Sequence, residues 1–144
     1  MSFGIDVNIL LYASDQSSAL HAKATEFLQQ CAGGREVFCL ACVTVMSYMR
    51  MATHPSIFDR PLTHEDAARN VEALLAVPSC RLIAEEEGFW DVYRDVTKQV
   101  PTRGNLVTDA HLAALLSQHG VVKLYTHDKD FRKFSFLDVH DPLL

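Results

Sequence analysis

The sequence predicts an α/β fold built on a central, mostly parallel sheet of about five strands with helices on both faces. Three observations carry this expectation. Short β-rich runs alternate with longer segments of helical apolar spacing, the pattern of strand–helix–strand units. Two of the runs, Phe3-Gly4-Ile5-Asp6 and Val122-Lys123-Leu124-Tyr125-Thr126, end on or just before a carboxylate, the second leading through His127 into Asp128-Lys129-Asp130. The 144 residues contain no repeat, low-complexity stretch or linker, which predicts a single domain over 1–144.

The elements follow in order. Phe3 to Asp6 reads as a first strand, and Ile9, Leu10, Leu11 and Tyr12 as a compact apolar helical turn. Ser17 or Ser18 can cap the next helix, whose Leu20, Ala24, Phe27 and Leu28 keep a helical period until Gly33-Gly34. Glu36 to Leu40 is a second strand; Thr44 to Met51 is a helix limited by Pro55. Thr63-His64-Glu65-Asp66 resembles a capping box with Asp in the fourth place, and Ala67, Ala68, Val71, Leu74 and Leu75 give the stripe behind it. Arg81 to Ile83 is a third strand candidate. Glu85 to Val100 reads as a helix with Phe89, Tyr93, Val96 and Val100 on one face. Another opens at Asn105, a plausible N-cap, and stops at Gly120. Val121 to Thr126 and Phe136 to Val139 complete the strands.

Composition narrows the function classes. With 49% hydrophobic and 22% charged residues the chain falls in the ordinary globular range. No apolar run is long enough to span a bilayer and no leader-like segment precedes the first strand, so a cytoplasmic location is expected. Cys31, Cys39, Cys42 and Cys80 are then expected to be free thiols. A net charge of -5 argues against a generally basic nucleic-acid binder. Basic residues nonetheless group at Arg94, Lys98 and Arg103, and at Lys123, Lys129, Arg132 and Lys133, where they can flank a phosphate path.

The carboxylates carry the chemistry. Asp6 ends the first strand, Asp109 lies in the first turns of the helix after Asn105, and Asp128 and Asp130 follow the fourth strand. In a parallel sheet all can meet at one edge, the edge where open α/β sheets bind ligands. Carboxylates brought together repel one another unless a cation intervenes. Hard cations such as Mg²⁺ take oxygen donors and often only one or two protein carboxylates beside water and substrate phosphate. Asp6, Asp109 and Asp128 make such a set. A metal there lowers the pKa of a bound water and steadies a leaving oxygen, the chemistry of phosphodiester hydrolysis.

The segments Ile5-Asp6-Val7-Asn8-Ile9-Leu10-Leu11-Tyr12, Arg50 to Phe58, Asp109-Ala110-His111-Leu112-Ala113-Ala114 and Leu124 to Phe131 together resemble a PIN-domain ribonuclease, and within that superfamily a VapC-type toxin. The resemblance implies a PIN-like three-layer fold and a Mg²⁺- or Mn²⁺-dependent endoribonuclease. It also implies a homodimer and a small VapB-like antitoxin that inserts a segment into the active-site groove. By position, Asp6, Asp109 and Asp128 would be metal ligands, and Asp130 would support the site or hold a metal-bound water. Asn8 and Thr126 would orient the carboxylates by hydrogen bonds.

One departure stands out. PIN nucleases commonly carry a further acid, usually Glu, on the helix after the second strand; here Ser47 holds that position and the helix has no carboxylate. Arg50 shares roughly the face of Ser47 and would either hold a phosphate or pair with Asp6. Loss of one acid leaves room for a second reading, a catalytically weakened module that binds RNA or an antitoxin. A third is a phosphatase with Asp6 as aspartyl nucleophile, for which Asn8 stands where a second Asp is expected. Cys39-Leu40-Ala41-Cys42 has the placement of a redox pair, but no other feature of such a fold accompanies it. His127 can reach substrate, Tyr12 and Phe58 can line a groove, and Trp90 and Tyr93 belong in the core or a dimer interface.

Overall fold

Strands and helices alternate along the chain, in a computed structural model that describes residues 1–144. The strands are β1 (Ser2–Ile5), β2 (Val37–Ala41), β3 (Cys80–Ile83), β4 (Lys123–Tyr125) and β5 (Asp138–His140). Every pairing is parallel and the order is β3-β2-β1-β4-β5. The helices are α1 (Val7–Ser14), α2 (His21–Gly33), α3 (Cys42–Ala52), α4 (His64–Leu75), α5 (Phe89–Thr97) and α6 (Asn105–Gln118). A 3₁₀ helix, Lys129–Lys133, follows β4. The expected three-layer α/β arrangement is therefore present.

The sheet separates two apolar cores. On one face Phe3, Ile5, Phe38 and Leu40 pack with Ile9 and Leu10 of α1, Ala24 of α2, Tyr48 of α3 and Val71 of α4. On the other, Cys39, Ala41 and Leu124 pack with Leu112, Leu115 and Leu116 of α6 and with Phe131 and Phe134. α6 is buried nearly all round, as its apolar composition requires. Gly4 brings it close: a Cβ there would lie 2.7 Å from Leu116 Cδ2. The helix ends in a Schellman motif, with Gly120 at φ 71° donating to Ser117 O (3.0 Å) and Val121 to Leu116 O (2.8 Å).

Several boundaries differ from expectation. α5 starts four residues after Glu85, because Gly88 takes φ 85° in a turn and residues 84–86 carry no regular structure. Asn105 is the first helical residue and Gly104 occupies the cap position. Neither Ser17 nor Ser18 caps α2; Ser18 Oγ accepts from Leu20 N–H in the turn before it. Phe58 is 4% exposed in the core and borders a cleft with Ser14, Asp15 and Arg60 that holds none of Asp6, Asp109, Asp128 and Asp130, whereas Trp90 lies outside the core at 65% exposure, stacked on Tyr93. Thr63 does cap α4, accepting from Asp66 N–H at 3.1 Å. All four cysteines are free thiols. Burial raises the Cys39 thiol, the opposite of what a redox-active CxxC needs.

Candidate metal centre

Strand order places the site. Successive units step outward from β1 through β2 to β3, and the chain then crosses back to lay β4 on the other side of β1. The crevice between the carboxyl ends of β1 and β4 is the topological switch point of the sheet. Asp6 leaves β1 there, and Asp128 leaves β4 there. Asp6 N–H donates to Tyr125 O (3.0 Å), locking the two strand ends together.

Asp6 is 8% exposed and doubly held. Its Oδ1 accepts from Val7 N–H at 2.7 Å, starting α1, and its Oδ2 accepts from the Thr126 hydroxyl at 2.7 Å. The same hydroxyl oxygen accepts from Asp128 N–H (3.0 Å) and from Asn8 Nδ2 (3.4 Å). Thr126, 1% exposed, thus links both strand-end aspartates, and Asn8 steadies it from α1. Burial raises the Asp6 pKa, opposed by the bonds from Thr126 and Val7, with the Asp128 charge adding to the rise.

Asp109, Asp128 and Asp130 form the compact cluster: each offers a carboxylate oxygen, all within 4.8 Å of one another. Asp109 comes from the second turn of α6. Asp128 caps the 3₁₀ helix and accepts from Asp130 N–H at 2.9 Å, so the two acids of this stretch are set by one short turn. Burial pushes the Asp109 carboxyl from the ordinary 3.8 to about 6; Asp128, Asp6 and Asp130 add to the rise and Lys133 opposes it. Lys133 itself lies 3.5 Å from Asp130. A carboxyl that resists ionisation first because it is half-buried and then because three others face it has electrostatics a divalent cation relieves, and an all-oxygen donor set suits Mg²⁺ or Mn²⁺. The expected trio of Asp6, Asp109 and Asp128 and the compact trio share Asp109 and Asp128. Asp130, expected only in support, stands on the exposed side of the cluster, and Asp6 behind it.

Ser47 shares a cleft of about 40 Å³ with Asp6, Thr44 and Thr108, so the position without an acid does face the site. Arg50 is exposed and enters none of the molecule's ion pairs, which sets aside its pairing with Asp6. Lys129, Arg132 and Lys133 are exposed beside the acids on the 3₁₀ helix, whereas Lys123 lies over the Tyr125 ring at 5.1 Å. His127 is not a free loop side chain. Its Nδ1 meets Asp141 Oδ2 at 2.8 Å and its ring stands edge-on to Tyr12. Asp141 and Thr108 escaped the sequence reading; only the pairing of β4 with β5 brings residue 141 beside residue 127, and no local pattern announces it.

The PIN domain description matches residues 5–137 of the chain. Ribonuclease VapC48 of Mycobacterium tuberculosis is 39% identical over 142 residues, covering 99% of this chain and 98% of the relative. Ribonuclease VapC37 of the same species is 35% identical over 130 residues, 90% of each. The chain belongs to the PIN-domain family, in its VapC branch. Solved structures share the fold. VapBC2 from Rickettsia felis, bound to a DNA fragment from its promoter, aligns with a TM-score of 0.71 at 13% identity over 98% of both chains. VapC20 of Mycobacterium tuberculosis, described as a sarcin-ricin loop cleaving toxin, aligns at 0.65 with 14% identity over 90% of this chain and 92% of that one.

Proposed function

We propose that this chain is a Mg²⁺- or Mn²⁺-dependent endoribonuclease acting as the toxin of a toxin–antitoxin pair. The observation that carries this reading is the carboxylate cluster at the β1/β4 switch point of a PIN-domain sheet. Near full-length likeness to proteins named ribonucleases supports RNA as the substrate. Fold neighbours solved as VapBC assemblies support a small antitoxin as the partner.

Asp109 and Asp128 would hold the cation. Asp6 closes the site from the strand side, and Asp130 stands where it can orient a water on the solvent side. Thr126 and Asn8 hold Asp6 and the Asp128 backbone in register. The bound cation supplies an activated water and charge stabilisation at the phosphate. Lys129, Arg132 and Lys133 offer screening charge along the RNA backbone. No helix is long and apolar enough to cross a membrane, and the protein is read as cytoplasmic.

The test is cleavage of RNA by purified protein in chelator, Mg²⁺ and Mn²⁺. Cleavage is expected only with metal and is lost in Asp128→Asn and Asp109→Asn. Cleavage by folded double variant would overturn the assignment. Light scattering on the same sample reads twice the 16.1 kDa chain mass if the expected homodimer forms. The Ser47 cleft favours one second reading, a weakened module that binds without cutting. Activity gained only in Ser47→Glu would support it over the first.

A further inference from the structure

After β5 the chain bends at Asp141 toward α1 and α2. Its Oδ1 accepts from Leu143 N–H at 2.9 Å, and Leu143 is 2% exposed in the core with α1 and α2. The second oxygen does something else: it meets His127 Nδ1 at 2.8 Å. An ionised carboxylate only accepts, so Nδ1 donates. The Asp141 side chain is 12% exposed and that of His127 33%, shielded enough for the pair to hold one geometry.

His127 is where this bond acts. Its ring stands at 86° to Tyr12 of α1, with centroids 5.8 Å apart. Its backbone N–H donates to Asn8 Oδ1 at 3.3 Å, and Asn8 in turn reaches Thr126. Asp128 is the next residue. The loop that delivers Asp128 and Asp130 is therefore pinned to the helix that begins at Asp6, and Asp141 fixes the pin from outside both elements.

We propose that Asp141 is a positioning residue for the acidic centre: through His127 it holds the Asp128–Asp130 loop against α1 and so sets the carboxylate spacing. The proposal rests on reading Asp109 and Asp128 as cation-facing, and its test separates the two. Amide exchange over residues 126–130 is measured by NMR in the metal-free protein, and Mn²⁺ affinity by calorimetry. In Asp141→Ala, exchange over 126–130 is expected to quicken about tenfold and Mn²⁺ binding to weaken about tenfold. Asp141→Asn, left with one accepting oxygen for the two N–H donors of His127 and Leu143, is expected to fall between wild type and Asp141→Ala. Val71→Ala, a destabilising control in α4, leaves those amides unchanged. If Asp141→Ala does not fold, His127→Phe keeps the bend and the ring contact while removing the bond, and the same loosening is expected. Unchanged exchange over 126–130 in Asp141→Ala and His127→Phe overturns the proposal, whether or not the wild type binds Mn²⁺. Loosened exchange with no Mn²⁺ binding by wild type faults the metal reading instead.

Discussion

Thr126 does at residue scale what a cation would otherwise do, giving two crowded aspartates a shared partner. Its hydroxyl proton goes to Asp6 and its lone pairs take the Asp128 amide and Asn8. Asp109 has no such bond, and its carboxyl shows the strain, held up at about 6 first by burial and then by Asp128, Asp6 and Asp130. An acid whose folded pKa lies above its unfolded one stabilises the fold at low pH and loses that contribution as pH rises through the window between them. In chelator, the melting temperature of Asp109→Asn minus that of wild type is therefore expected to rise from pH 4 to about 6 and then level. Saturating Mn²⁺ raises the wild type and removes the gap. A difference independent of pH would show that Asp109 titrates as an ordinary carboxyl. Asp6, Asp109 and Asp128 were legible in the sequence because each sits at an element end or on its first turns, whereas Thr126 and Asn8 came only from the family resemblance. The closeness of Asp130 was less so, since it depends on a 3₁₀ turn rather than on spacing.

At the scale of elements, the site depends on α6 lying close enough to β1 for Asp109 to reach Asp6 and Asp128. Gly4 permits that approach, with Leu116 where a larger residue's side chain would begin. Gly4→Val is expected to cost about 1–3 kcal/mol by overpacking, measured by denaturant unfolding, and to lower Mn²⁺ affinity by shifting α6. A variant as stable as wild type would mean that Leu116 moves aside freely. The sequence showed the elements well where period and punctuation agreed, as in α4 behind Thr63 and α6 before Gly120. It overextended α5, because Glu85, Glu86 and Glu87 read as helix formers. In the fold they serve the turn instead: Glu85 meets His111, and Gln118 accepts from Glu86 N–H. Such tertiary partners override local propensity. Phe58, offered as a groove residue, packs in the core, since an aromatic's type does not say which way a loop carries it; Trp90, expected in the core or a dimer interface, is exposed, which leaves the interface.

For the whole molecule, the order β3-β2-β1-β4-β5 makes the acidic centre a consequence of topology. Two strands that diverge in the chain's path leave their carboxyl ends open between them, and the sequence furnished both ends with Asp. Parallel alternation was readable from the chain; the strand order was not, because no local pattern says on which side of β1 the chain lays β4. The tie from Asp141 to His127 was not readable, because it joins positions after two strands whose pairing no local signal fixes. The central claim is that these carboxylates gather one cation at the switch point. Anomalous scattering from crystals grown with Mn²⁺ tests it most directly. A peak is expected among the carboxylates of Asp109, Asp128 and Asp130, on the side toward Asp6, and is expected to vanish in Asp128→Asn. Crystals of the wild type with Mn²⁺ bound elsewhere and this crevice empty would contradict it.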